Sequence, residues 1–84
     1  MSKNILSIVQ QLTPIFQDVF DNDGLIISEY TTAREVDGWD SLAHIRLVVS
    51  IEKAFGIRFT ADEISNLENI GALAGLILKK QSDI

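Results

Sequence analysis

The sequence contains no cysteine. A disulfide framework and a thiolate metal site are thereby both excluded. Its single histidine, His44, is too few for a multi-histidine metal centre. Aromatic residues make up only 7% of the chain, so the interior must be built from isoleucine, leucine and valine. No apolar run approaches the ~18 residues of a membrane span. The stretch from Ile70 to Leu78 is about half that length and closes on Lys79-Lys80. Inside it, Gly71-Ala72-Leu73-Ala74-Gly75 has the small-residue spacing of paired membrane helices, a pattern that close packing inside a soluble bundle also produces. Membrane insertion is not expected. The N-terminus carries no signal-peptide cleavage pattern, and a cytoplasmic location follows as the expectation. Basic residues are scarce as well: 7 Lys and Arg stand against 12 Asp and Glu, for a net charge of -5. Phosphate neutralisation needs the opposite balance, so nucleic acid is not an expected partner.

What remains is 84 residues with 46% hydrophobic content, enough for one small folded domain over residues 1–84 and too apolar for a disordered chain. A monomer is expected. Ile5, Ile8, Val9, Leu12, Ile15, Phe16, Val19 and Phe20 recur at helical spacing. They predict a first helix over roughly residues 3–20. Pro14 falls inside it, and a proline there either kinks the helix or starts a second piece capped by Thr13. Asp21-Asn22-Asp23-Gly24 superficially resembles a calcium loop. The register fails, because with Gly24 as the sixth position Val19 and Tyr30 fill places that need acids. The segment reads as a turn. A long connection over residues 21–39 follows, with Leu25, Ile26, Ile27, Val36 and Trp39 expected to anchor it to the core.

Asp40 is a good N-cap and Gly56 a good C-terminal stop, so a second helix should span about 41–55. On a helical wheel Leu47, Val48, Ile51 and Phe55 gather on one side. Leu42, Ile45 and Val49 gather on nearly the opposite side. The first stripe suits a core. The second is either covered by the long connection or left as a docking surface. Thr60-Ala61-Asp62-Glu63 fits a capping box and starts a short helix over about 61–66, with Ile64 and Leu67 pointing inward. Asn69 can cap a last helix whose inward stripe is Ile70, Leu73, Ala74, Ile77 and Leu78, and Lys79 and Lys80 suit its negative end. No strand pattern emerges. The fold class is all-α, a small bundle of three longer helices and one short one with a long first loop.

Asp40, Ser41 and His44 lie within five positions, yet a hydrolytic triad is not expected. An N-cap aspartate is committed to backbone amides, and so small a bundle has little room for a substrate pocket. Ser41 has a different prospect. It stands at a helix N-terminus, where amides and dipole favour an anion joined to its hydroxyl.

Gly38-Trp39-Asp40-Ser41-Leu42, followed by Ile45, Leu47-Val48, Ile51-Glu52 and Phe55-Gly56-Ile57, resembles the acyl carrier proteins. The resemblance runs from about Ile8 through Leu78 and includes the long loop, the Phe-Gly stop and the short third helix. It implies a four-helix carrier fold and a non-catalytic role. By resemblance, Ser41 would be esterified by a phosphopantetheinyl transferase with the phosphopantetheine of coenzyme A, whose thiol carries acyl groups as thioesters. Asp40 would belong to the transferase recognition motif. Leu42, Ile45, Arg46 and Val49 would meet partner enzymes that load and process the acyl group. Fatty-acid-type carriers have a strongly acidic second helix. In this sequence that helix holds His44, Arg46 and Lys53, with Glu52 its only acid after Asp40. The departure points to a dedicated partner set in a polyketide-like or other specialised pathway. An aminoacyl or peptidyl carrier, and an unmodified interaction module with the same fold, are the competing readings.

Overall fold

The computed structural model describes residues 4–65 and 67–82. Asn4 opens the first helix, α1 (Ile5–Val19), by accepting the Ser7 amide on its side-chain oxygen at 2.8 Å. The expected start at Lys3 lies outside the described residues. The helix runs unbroken through Pro14. Thr13 does not cap a second piece; its hydroxyl donates back to the Val9 carbonyl at 3.0 Å. Continuity is understandable from the apolar stripe: Ile8, Val9, Leu12 and Phe16 are all buried, so packing on both sides of Pro14 holds one continuous helix.

The Asp21–Gly24 segment is the expected turn, closed by Asn22, whose side chain accepts the Gly24 amide and whose carbonyl accepts the Leu25 amide. Among the described residues no cluster of potential metal ligands occurs. The connection then runs without regular secondary structure through Ser28, and its side chains alternate between buried and exposed. Ile27 is buried and Leu25 half-buried, whereas Ile26 is 86% exposed and does not anchor the loop as expected. A 3-10 turn at Ala33–Glu35 follows, and Val36 beyond it is buried.

The loop is fastened to the far side of the bundle. The amides of Ile70 and Gly71, at the start of the last helix, donate to the carbonyls of Thr31 and Glu29 at 2.9 and 2.7 Å. Those are first-turn donors that a helix cannot satisfy internally. Asn69 takes a third, the Ala72 amide, at 2.8 Å.

The remaining helices are α2 (Ser41–Phe55), α3 (Ala61–Ser65) and α4 (Ile70–Ser82). α1 packs against both α2 and α4. The core is aliphatic, centred on Ile8, Leu12, Leu47, Ile51, Ile70 and Ile77 around Phe16. Gly56 ends α2 at φ 67°, the left-handed conformation a helix stop requires. The small-residue stretch behaves only in part as expected. Ala74 is buried and the loop backbone crosses closely at Gly71, but nothing stands where a Gly75 side chain would go.

α3 is held by the expected capping box. The Thr60 amide donates to Glu63 Oε1 at 2.8 Å, and the Glu63 amide donates to Thr60 Oγ1 at 3.2 Å. The last expected residue of this helix, at position 66, lies outside the described residues. Lys80 does not simply face the end of its own helix; its Nζ reaches Glu63 Oε1 at 2.9 Å and tethers α4 to α3. The Thr60 amide, with Lys80 second, holds the Glu63 carboxyl below the usual glutamate range. The folded value is the depressed one, so this contribution to stability is complete above the ordinary glutamate range and is lost as pH falls through it. Melting temperatures of wild type and Glu63→Gln should therefore differ at about pH 7 and converge once the pH has fallen below the depressed Glu63 value.

Candidate functional site

Asp40 has extended backbone angles, and its Oδ1 accepts the Ala43 amide at 2.8 Å, which makes it the N-cap of α2. Ser41 is therefore the first helical residue, and it is exposed. The cap consumes one orphan donor of the first turn, and the dipole of a fifteen-residue helix still points its positive end at this spot. A hydroxyl so placed is accessible to a visiting enzyme, and a phosphodiester built on it meets a favourable field.

The two stripes of α2 divide as the wheel suggests. Leu47, Val48 and Ile51 are buried and Phe55 is half-buried against the core. Leu42, Ile45 and Val49 are 67%, 58% and 42% exposed, so the connection does not cover them. Arg46 and Lys53 are exposed on the same side of the helix. Glu52 is turned away from this role, because its Oε2 accepts the Phe59 amide at 2.9 Å. An otherwise acidic protein thus presents an apolar and basic strip along α2. The engagement of Glu52 was invisible to helical periodicity; it depends on how the 57–60 connector folds back.

A second arrangement also escaped sequence reasoning. The Trp39 indole N–H donates to His44 Nδ1 at 3.1 Å, and the two rings stack with centroids 6.1 Å apart. An indole nitrogen can only donate, so Nδ1 of His44 must accept and carries no proton in this arrangement. A hydrolytic triad would need that same nitrogen to carry a proton toward an acid. Asp40 is occupied with the Ala43 amide, so the Asp40–Ser41–His44 proximity does not assemble a triad.

Beside Ser41 a shallow groove opens between α2 and α3, with Trp39, His44 and Ile45 on one wall and Ile64 and Leu67 on the other. Ile64 is half-buried and serves this wall, whereas Leu67 also packs against the core. A cavity of about 60 Å³ adjoins the groove, sharing Ala33, Trp39, His44 and Leu67 and lined also by Glu68, Asn69 and Leu73. No helix among the described residues is long and apolar enough to cross a membrane.

Comparison with known proteins bears on this geometry. Residues 10–77 match the phosphopantetheine attachment site family. The solution structure of a holo acyl carrier protein from Geobacter metallireducens is similar throughout. It is 42% identical, with a TM-score of 0.85 over 90% of this chain and 87% of that one. No curated protein matches.

Proposed function

The chain belongs to the phosphopantetheine attachment site family and has the acyl carrier protein fold, and we propose on that basis that Ser41 carries the arm. A covalently attached phosphopantetheine is the family's cofactor, and the residues present suit it. Ser41 is exposed on the first turn of α2, and Asp40 caps the helix through the Ala43 amide. When bound, the group supplies a thiol that holds acyl groups as thioesters. In the attachment step Ser41 Oγ forms a bond to phosphorus as the pyrophosphate linkage of coenzyme A breaks. The adenosine bisphosphate leaves, and the hydroxyl proton passes to a base of the transferase. Ser41 is a substrate in this step, which agrees with the absence of a triad. The protein itself is a non-catalytic carrier that presents its cargo to loading and processing enzymes.

The exposed serine at the head of α2 is the observation that carries this reading. Incubation of the apo-protein with acetyl-coenzyme A and a broad-specificity transferase should add one acetylated arm by intact mass. Hydroxylamine, which cleaves thioesters, should then remove the acetyl group and leave the arm. An acetyl group resistant to hydroxylamine, or no addition at all, would count against it.

The strip formed by Leu42, Ile45, Arg46, Val49 and Lys53 supports a partner set distinct from the enzymes that dock acidic carriers. A basic enzyme patch facing Arg46 and Lys53 meets like charge, which costs association rate and affinity. The specialised pathway of the cargo follows from this as part of the same reading. Reversing both charges, Arg46→Glu with Lys53→Glu, should raise kcat/KM with an enzyme of fatty-acid elongation by about tenfold. Wild-type protein that already serves such an enzyme as well as an acidic carrier would sink the idea of a dedicated partner set.

A further inference from the structure

We propose that Trp39 and His44 together form a stop that keeps an acyl chain carried at Ser41 from withdrawing into the bundle, so that the chain stays on the surface whatever its length. The inference rests on Ser41 as the attachment site. These two rings, with Ala33 and Leu67, line both the groove beside Ser41 and the cavity next to it. Trp39 is held from three directions. Phe16 meets it edge-on at 5.4 Å between centroids, Phe20 lies at 5.9 Å, and His44 stacks at 6.1 Å while accepting the indole N–H at 3.1 Å. Swinging the indole aside forfeits all of these contacts at once and leaves a polar N–H without its partner.

The space behind the rings is small. A cavity of about 150 Å³ takes up one benzene molecule, whereas this one measures about 60 Å³ and has Leu73 in its lining. It has room for roughly two or three carbons. The carbons of a carried chain therefore stay on the surface of the bundle, and its length is not felt by the core.

The test uses the full-length protein loaded from acetyl-, butanoyl- and octanoyl-coenzyme A by a broad-specificity transferase, with each product confirmed by intact mass. Wild type should melt within about 1 °C for all three loads, and the Leu73 amide resonance should not move between butanoyl and octanoyl. In Trp39→Ala and in His44→Ala the octanoyl form should melt about 4 °C above the acetyl form, because the chain now finds apolar cover. A wild-type octanoyl form stabilised to that degree, or a Leu73 resonance that follows chain length, overturns the stop. So do variants as insensitive to length as wild type. If Trp39→Ala does not fold, His44→Ala decides, since it removes the indole's hydrogen-bond partner and leaves the Phe16 and Phe20 contacts in place. Failure to gain mass from any of the three thioesters overturns the attachment site as well, which separates the two failures.

Discussion

Ser41→Ala is expected to abolish transferase-dependent addition of the arm completely while moving the melting temperature by no more than about 2 °C. The two halves of this result have separate causes. Attachment requires an oxygen nucleophile at this position, and Leu42 and Asp40 on either side offer no hydroxyl. Stability is indifferent because Ser41 is exposed and the capping bond to the Ala43 amide comes from Asp40. Alanine is also the best helix former, so the first turn loses nothing in propensity. Intact mass and a thermal melt of the same sample measure both halves. A severe loss of stability would make Ser41 a structural residue.

Gly71→Ala and Gly75→Ala should move stability in opposite directions, although both replace a glycine of α4 by the same residue. A Cβ at Gly71 would stand 2.7 Å from the Glu29 carbonyl oxygen and 3.2 Å from the Glu29 Cβ. The loop would have to retreat. It is held there by the Gly71 and Ile70 amides, so those bonds would lengthen or break. A loss of about 2 kcal/mol is expected, or roughly 10 °C for a domain of this size. At Gly75 nothing lies within 4 Å of the added atom. Alanine there reduces the freedom of the unfolded chain without a clash, and a gain of about 0.5–1 kcal/mol should follow. Urea titrations of the two variants check the pair. Equal effects would mean that the loop does not press on α4 at Gly71.

Much of this protein is written in local signals. Asp40 and Gly56 bound α2 because a cap and a left-handed stop are decided by a few neighbouring residues. The Thr60–Glu63 box opens α3 for the same reason, and the phase of Ile8, Leu12 and Phe16 carries α1 across Pro14. Ser41 and the exposed strip of α2 were legible because spacing on one helix fixes which side chains share a face. What stayed hidden depends on segments meeting across the fold. Ile26 looked like an anchor by composition, but it faces outward between the half-buried Leu25 and the buried Ile27. The bond from the Phe59 amide to Glu52, the seating of the loop on α4, and the lock between Trp39 and His44 all need the tertiary structure before they can exist. The last of these shapes the groove beside Ser41, so the surroundings of the site were less readable than the site itself.

The most direct measurement is fragment-ion mapping of the protein after treatment with coenzyme A and a transferase. The added mass should fall on fragments that contain Ser41 and on no others. Mass found on any other side chain, or an unmodified chain under conditions that convert a control carrier fully, would contradict a prosthetic arm at the head of α2.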